Sequence, residues 1–485
     1  NPNIIGNLKN YINSHQKVFE INETMIIDTK SEIDKFIEDI IPLLHTYADI
    51  YLSQSIKNFN KTRKINYSVG VKVTSNFLEL DFSSTDLDKG EIIDILNQYR
   101  AKKKYYRLKK GEIILMDQEQ LEFLDDFIKD FNIILNDPEV KVVVETMGGL
   151  HPAYEFVSAC LKAGKSVVTS NKELVAAKGC ELLGYAAEHN VNFLFEASVG
   201  GGIPIIRPIS QCLAANEINE FAGILNGTTN FILTRMINDG MAFEDALKLA
   251  QDNGYAERDP SADILGFDAC RKVCILASLC FGKHVYPDQV HTEGITEITL
   301  EDVEYAKDWG GVIKLLGRAR KSEDGKHIYA IVSPAFVDHH SQLASVDDVF
   351  NAILVRGDAI GDVVFYGRGA GKLPTASAVV GDVIDCARHE NKQKFFGWAD
   401  SEEGYVSDYL DMPTALYVRA RAQQKQQVIS SAEKTFGEIK LLKHTGAPED
   451  EFAFVTPVAS ERELRTKLET LLGAEIISTI RVTDY

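Results

Sequence analysis

The chain has 485 residues, of which 45% are hydrophobic and 25% charged, and its formal net charge is −19. This length exceeds what one hydrophobic core serves, so roughly two to four domains are expected. The acidic balance disfavours a nucleic-acid backbone as the main partner. No apolar run reaches the ~18 residues of a membrane span, and the first residues lack the basic-then-apolar order of a signal peptide. Seven cysteines without CxxC spacing argue against disulfides or structural zinc and favour a reducing cytoplasm.

The composition changes near Phe131. Residues 1–131 contain four glycines, two alanines and no cysteine, whereas residues 132–485 contain the other 30 glycines, all seven cysteines and both tryptophans. The net charge also divides unevenly, with −3 in the first part and −16 in the second. We therefore expect two parts of different origin, the first being a separate α+β module over residues 1–131.

Within this module, helical and strand patterns alternate. Apolar residues spaced by three and four predict a helix around residues 33–41. Two β-type runs, YSVGVKV and FLELDF, are separated by Thr74, Ser75 and Asn76 and predict a hairpin. A helix, a basic strand, a turn at Lys110 and Gly111, a strand over residues 112–116 and a final helix complete the module.

From residue 132 the pattern becomes strand, helix, strand, helix, strand. The strands VKVVVE, KSVVT and VNFLF are apolar throughout, which is typical of parallel strands covered on both faces. Residues 132–200, with a helix over residues 374–388, therefore predict a partial Rossmann-type sheet, the residual half of a dinucleotide-binding domain. Ligands of such sheets lie at the carboxyl ends of the strands, where MGG, SNK and EASVGGG fall.

The remainder predicts three further regions. Residues 201–373 combine helices and strands in an α+β domain, and the polar, irregular residues 389–411 predict a linker. Residues 412–485 predict β-α-β-β-α-β, a ferredoxin-like fold. The fold class expected for the whole chain is α/β and α+β multidomain.

One pair of charged residues lies on a largely apolar helix. Asp268 and Lys272 are four residues apart, so both project from one face of the helix. In a cleft, such a pair can hold and release a proton at a reacting oxygen. The alternative is a solvated ion pair, but Cys270, Val273 and Cys274 make burial more plausible.

Other candidates are less specific when taken singly. Lys172 follows a predicted strand, where it could face a ligand or simply solvent. Glu196 precedes a glycine-rich turn that suits carbonyl coordination of a hard cation, or serves only as a strand-to-helix turn. Gly227 and the two threonines after it precede a predicted helix, and they could be no more than its N-terminal cap. Gly369 and Gly371 could let a phosphate approach backbone amides.

Together these motifs, in this order, resemble the homoserine dehydrogenase family over about residues 132–390. The resemblance rests on six stretches: DPEVKVVVETMGG, VVTSNKELVA, FEASVGGGIPIIRPI, GILNGTTNFIL, GYAERDPSADILGFDACRK and GRGAGKLPTASAVVGDV. It implies reduction of L-aspartate 4-semialdehyde to L-homoserine with NADP or NAD, in the biosynthesis of threonine and methionine. It also implies a catalytic and dimerisation role for residues 201–373 and a homodimer or higher homo-oligomer.

The resemblance assigns a role to each candidate. Lys272 is implied to be the catalytic acid and base, with Lys172 as the second active-site lysine and Asp268 as the partner of Lys272. Glu257 and Asp263 are implied to bind the amino-acid part of the substrate. Cofactor contacts are implied for Thr146, Lys172, Gly227 and Gly371. A site for a monovalent cation, Na or K, is implied for Glu196, Val199, Gly201 and Ile203.

The chain departs from this family at its beginning. The family starts with a strand, GxGxxG and a helix, and no two of the four glycines in residues 1–131 are close enough for that motif. We therefore expect a chimera whose first cofactor-binding half is replaced and whose affinity for NADPH is low. Residues 45–131 instead resemble the helicase-associated segment of bacterial Swi/Snf-type ATPases. The alternative function is a non-enzymatic binding or scaffold protein whose basic residues 102–110 contact nucleic acid.

The C-terminal fold resembles the ACT regulatory domain. Where that family has a D-x-P-G-V-L turn, this chain has QQKQQV over residues 423–428. We expect a packing or dimerisation role for this domain rather than the binding of an amino-acid effector.

Overall fold

The computed structural model describes residues 134–390 and 392–483, with Phe131 and Tyr485, and only short strands before them. Its contacts divide the chain into two units, residues 1–64 with 97–121 and residues 65–96 with 122–485. The early strands form three antiparallel pairs: β1 (Phe19–Ile21) with β2 (Thr24–Ile26), β3 (Tyr67–Thr74) with β4 (Phe77–Ser84), and β5 (Tyr106–Arg107) with β6 (Ile113–Ile114).

The pairs β3 with β4 and β5 with β6 match strands expected from the sequence. The predicted hairpin is confirmed, with Tyr67 opposite Ser84 and Thr74 opposite Phe77. The helices predicted before residue 131, and the side chains of the basic run 102–110, lie outside the described residues.

A parallel sheet follows, as the apolar strands predict. It comprises β7 (Val142–Glu145), β8 (Ser166–Thr169) and β9 (Phe193–Leu194), connected by α1 (Ala153–Lys162) and α2 (Lys172–Glu188). Val167 packs in the core that holds α1 and α2, whereas Val168 packs against Cys386 of a later helix. Both faces of β8 are therefore covered, since successive side chains of a strand point to opposite sides. The expectation of cover on both faces is wrong for β7, where Val144 is 38% exposed.

The central region builds a mixed sheet in the order β15-β14-β10-β12-β13, with β11 beside β13. Its strands are β10 (Ile218–Ile224), β11 (His291–Thr292), β12 (Gly311–Lys321), β13 (Ile328–Asp338), β14 (Phe350–Gly357) and β15 (Gly361–Arg368). Its helices are α3 (Gly227–Asp239), α4 (Phe243–Asp252), α5 (Ser261–Ile264), α6 (Phe267–Phe281) and α7 (Leu300–Trp309). The strand-like sequence runs HIYAIVSPAFV and AILVRGD correspond to β13 and β14.

Helix α6 lies on β12 and β13. A Cβ on Gly317 of β12 would stand 2.5 Å from Cγ2 of Val273, so only glycine permits this close approach. Eleven residues of α6 are buried, including Asp268 and Lys272. The burial expected for this pair from its apolar helix is therefore observed.

The C-terminal residues form the predicted order β-α-β-β-α-β with one further short strand, Ala459–Ser460, before the second helix. Helix α8 (Lys372–Arg388) precedes β16 (Pro413–Arg421), α9 (Lys425–Phe436), β17 (Lys440–Leu442), β18 (Glu451–Val455), β19 (Ala459–Ser460), α10 (Glu461–Glu469) and β20 (Glu475–Val482). Strand β20 runs parallel to β13, with Ala335 opposite Arg481 and Phe336 opposite Val482. This ferredoxin-like order therefore shares one sheet with the central region.

Among the residues that the structure describes, no helix is both long and apolar enough to cross a membrane.

Candidate active site

The carboxylate of Asp268 lies between two lysines. Lys272, one turn along α6, places Nζ 2.7 Å from Oδ2, and Lys172, the first residue of α2, places Nζ 2.9 Å from Oδ1. Asp268 is 6% exposed and Lys272 is 8% exposed. The structure thus joins two candidates from one helix with a third that is 96 positions away from Asp268 in sequence.

The ammonium group of Lys272 is held at the end of strand β10. It donates to the carbonyl oxygen of Leu225 at 2.6 Å, in addition to Asp268. An ammonium has three N–H donors, and these two contacts use two of them. The third has no acceptor among the described residues. This donor is available for an oxygen of a bound substrate.

The pKa values of the two neighbouring carboxylates, Asp268 and Asp263, are shifted in opposite directions. Burial would raise the pKa of Asp268, but the charges of Lys272 and Lys172 outweigh it and hold that pKa well below its usual range. Burial raises the pKa of Asp263, against the hydrogen bond from Asn226 and with a further contribution from the charge of Asp268. Asp268 is therefore a firm anion at neutral pH.

Asn226 connects these two carboxylates and is a residue that the sequence analysis did not single out. Its Nδ2 donates to Oδ1 of Asp263 at 2.7 Å and to Oδ2 of Asp268 at 2.8 Å. Its Oδ1 accepts from the backbone N–H of Thr229 at 2.9 Å, which caps α3. An asparagine between an apolar strand and Gly-Thr-Thr predicts the cap, but not the bridge.

Glu257, the second implied substrate carboxylate, is exposed, and its side chain has no ion-pair partner among the described residues. Its backbone oxygen accepts from Nε2 of Gln251 at 3.1 Å. The structure therefore brings Asp263, and not Glu257, into the hydrogen-bonded cluster around Asp268.

The carboxylate of Glu196 caps the turn that follows its own glycine loop. Oε1 accepts from the backbone N–H groups of Ile205 at 2.6 Å and Ile206 at 2.9 Å, and Oε2 accepts from that of Arg207 at 2.8 Å. The backbone N–H of Glu196 in turn donates to Oδ2 of Asp382 at 2.8 Å. Asp382 also accepts from Arg207 at 2.6 Å, so α8 fixes both ends of the loop.

Two glycine loops meet at this point. Gly201 has φ +55°, and a Cβ there would lie 2.4 Å from the carbonyl oxygen of Gly369. Gly202 donates its backbone N–H to Arg368 O at 3.0 Å. Gly371 precedes α8 with φ +122°, and a Cβ on Gly227 would lie 2.8 Å from Val349 O. Close backbone approach explains the glycines on both loops.

The ends of β7 and β8 are tied by a second network that sequence reasoning missed. Glu145, which immediately precedes Thr146, accepts from the backbone N–H of Met147 at 2.6 Å and from the hydroxyl of Thr169 at 2.5 Å. Asn171 donates to Gly149 O at 2.6 Å and caps α2, which begins at Lys172. This network fixes the backbone on either side of Thr146 and Lys172.

No group of three or more His, Cys, Asp or Glu side chains in the described part of the chain is arranged to hold a metal ion.

A parallel sheet with glycine loops at its strand ends, beside the buried pair Asp268 and Lys272 and the partly exposed Lys172, defines an oxidoreductase of the NAD(P)-dependent class. Family models agree: "Homoserine dehydrogenase" matches residues 204–384 and "Homoserine dehydrogenase, NAD binding domain" matches residues 99–196. The chain belongs to the homoserine dehydrogenase family.

Similar proteins support this assignment. Homoserine dehydrogenase of Synechocystis is 41% identical over 72% of this chain and 84% of its own length, and that of Neisseria gonorrhoeae is 47% identical over 62% and 70%. The crystal structure of a homoserine dehydrogenase from Thiobacillus denitrificans matches with a TM-score of 0.65 and 34% identity, covering 81% of this chain and 95% of that chain.

The resemblance of the first part to a helicase-associated segment is also confirmed, since the model "Bacterial SNF2 helicase associated" matches residues 3–143. The NAD-binding model starts at residue 99, before the boundary predicted near Phe131, so the two matches overlap. The comparisons support the enzyme interpretation and give no support to the alternative of a non-enzymatic scaffold protein.

Proposed function

We propose that this chain interconverts L-aspartate 4-semialdehyde and L-homoserine with NAD(P)H, and that Lys272 is its catalytic acid and base. The observation that carries the proposal is the buried carboxylate of Asp268 held between Lys272 and Lys172. Ammonium groups near a buried carbonyl stabilise the negative charge that develops on its oxygen during reduction. Bound NAD(P)H supplies the hydride.

Lys272 protonates the oxygen as reduction proceeds. Its contacts with Asp268 and Leu225 aim the remaining N–H bond, and the same group takes the proton back in the reverse direction. Asp268 keeps two cations close together at low electrostatic cost. Lys172, which is partly exposed, stabilises the charge from the second side.

Asp263 and Glu257 bind the ammonium group of the amino acid in this proposal. Asp263 is supported by its place in the cluster, where Asn226 engages one oxygen and leaves the other for a charge-assisted hydrogen bond. Glu257 is exposed in the segment that precedes α5, the short helix that carries Asp263. Closure of that segment over a substrate would bring it to the same ammonium group.

The cofactor-binding residues in this proposal are Thr146, Lys172, Gly227 and Gly371. Gly371 and the strand-end network support this assignment, because Gly371 offers backbone without a Cβ and the network holds the segments around Thr146 and Lys172. A phosphate or ribose can then approach main-chain donors directly.

The monovalent-cation site implied at Glu196, Val199, Gly201 and Ile203 fits only in part. The Glu196 carboxylate already accepts three backbone N–H groups, so it serves as a cap. A cation there would use main-chain oxygens, and we assign it no step in the reaction.

We further propose a homodimer, and for the ACT-like residues 412–485 a packing role rather than effector binding. The continuous sheet between β13 and β20 supports packing, because it ties this fold to the central region through main-chain hydrogen bonds. Light scattering on the full chain measures its mass and distinguishes a dimer from a monomer.

The oxidation of NADPH on addition of aspartate semialdehyde tests the reaction. We expect turnover by the wild-type chain, a loss of at least about 10²-fold in Lys272→Ala, and little change in Lys283→Ala, whose partner Glu402 is on the surface. Absence of turnover in the wild-type chain would overturn the proposed function.

A further inference from the structure

Asn226 occupies the point where the end of β10 meets the catalytic cluster. It is 5% exposed and directly follows Leu225, whose carbonyl oxygen holds the ammonium of Lys272. Its two amide hydrogens go to two different carboxylates, Asp263 at 2.7 Å and Asp268 at 2.8 Å. A single nitrogen therefore sets the spacing between the carboxylate of Asp268, which contacts both lysines, and the carboxylate of Asp263 on α5.

The orientation of this amide is fixed by its chemistry. Oδ1 lies 2.9 Å from the backbone N–H of Thr229 and 3.1 Å from its hydroxyl. A rotated amide would place an oxygen against two carboxylates and a nitrogen against a backbone donor, and every one of these contacts would be repulsive. The two N–H groups must therefore face the carboxylates.

The hydrogen bond from Asn226 is one of three that the two carboxylate oxygens of Asp268 accept from side chains. Oδ2 receives Lys272 and Asn226, and Oδ1 receives Lys172. Without the amide, the buried carboxylate of Asp268 and the partly buried carboxylate of Asp263 would face each other with no donor between them. Their repulsion would move Asp268 away from one of the lysines or move α5, which carries Asp263, outward.

We infer that Asn226 is a positioning residue of the reaction, which holds Asp263 at the substrate and Asp268 between the two lysines through one amide nitrogen. This inference rests on the proposed function for its kinetic consequence. The contact itself has a consequence for folding that does not depend on activity.

Two variants separate the bridge from the helix cap. Asn226→Ser and Asn226→Asp both keep a side chain that caps α3, since serine and aspartate are good N-caps. Serine has a shorter side chain with a single O–H, so it cannot donate to both carboxylates, whereas aspartate places a third carboxyl group there. Thr299→Ala is the matched control, because Thr299 caps α7 and contacts none of these residues.

The kinetic experiment measures kcat and KM for L-homoserine from pH 6 to 9. We expect kcat/KM to fall at least about 10-fold in Asn226→Ser at every pH. In Asn226→Asp the loss should be small at pH 6 and exceed about 10²-fold at pH 9, because only a protonated Asp can donate between two carboxylates. In this oxidative direction the cofactor is NADP⁺, and its KM should stay within about twofold in both variants.

The outcome against the inference is equally definite. Asn226→Asp with the same loss at every pH, or Asn226→Ser within threefold of the wild-type chain, would show that the bridge does not position the cluster. Thr299→Ala should match the wild-type kinetics.

Thermal unfolding distinguishes failure of this inference from failure of the proposed function. The midpoint of Asn226→Asp should fall below that of Asn226→Ser increasingly as pH rises from 6 to 9, with no ligand present. If the wild-type chain has no turnover, the proposed function fails, and a pH-independent difference between the two midpoints would still refute the bridge.

Discussion

Lys172 and Asp268 form an ion pair at 2.9 Å although they belong to different helices, α2 and α6. One helix begins at the end of a strand of the parallel sheet, and the other lies on the mixed sheet. The pair therefore joins the part of the chain that matches the NAD-binding family model to the helix that carries Lys272, the acid and base that we propose.

Asp268→Asn should reduce kcat at least about 10²-fold and the free energy of unfolding at pH 7 by about 3 kcal/mol, because it leaves two ammonium groups without their counter-charge. The folded-state pKa of Asp268 is lowered, so its contribution is present at neutral pH and is lost as pH falls below about 4. Denaturation by urea at pH 7 and pH 3 measures this. An equal difference between wild type and variant at both pH values would contradict it.

NADPH should bind this chain at least about 10-fold more weakly than it binds a relative that carries GxGxxG, since that loop supplies backbone donors and a helix N-terminus for the pyrophosphate. Titration calorimetry on both proteins in one buffer measures the two dissociation constants. Equal affinities would mean that another segment of this chain supplies the missing donors.

Gly201→Ala should destabilise the chain far more than Gly240→Ala. Both glycines have positive φ, +55° and +62°, so both substitutions introduce similar backbone strain of about 1–2 kcal/mol. At Gly240 a Cβ meets nothing within 4 Å, whereas at Gly201 it meets the carbonyl oxygen of Gly369 at 2.4 Å. We expect a further loss of at least about 1 kcal/mol at Gly201 by urea denaturation; similar losses at both sites would refute the close contact.

The stability of the Glu196 loop should change with pH through Asp382. Burial raises the pKa of Asp382 to about 6, against its hydrogen bond from Glu196 and its pair with Arg207. A carboxyl with a raised folded pKa is relatively more stabilising below about pH 4, and this advantage is lost as pH rises through 6. From pH 4 to pH 7.5 the wild-type chain should therefore lose on the order of 2–3 kcal/mol of unfolding free energy relative to Asp382→Asn, which cannot titrate.

Urea titrations of both proteins at several pH values test this prediction. A constant difference across the range would show that Asp382 titrates alike in the folded and unfolded chains.

Local pattern determined much of this protein. The apolar runs around Val143 and Val167 specified parallel strands, of which the second is buried, and the alternation of Val167 and Val168 between two cores follows from the pleat alone. The spacing of four between Asp268 and Lys272 placed them on one face of α6, and the order of six motifs specified the family.

Only the tertiary structure decided which partners these residues receive. The pairing of Lys172 with Asp268, and of Asn226 with both Asp263 and Asp268, depends on how α2, α3 and α6 meet at the strand ends. Likewise, Glu196 could have offered its carboxylate to a cation, but the turn after it presents three N–H groups within reach. Sequence fixes periodicity within one element, whereas a contact between elements is set by the packing of all of them together.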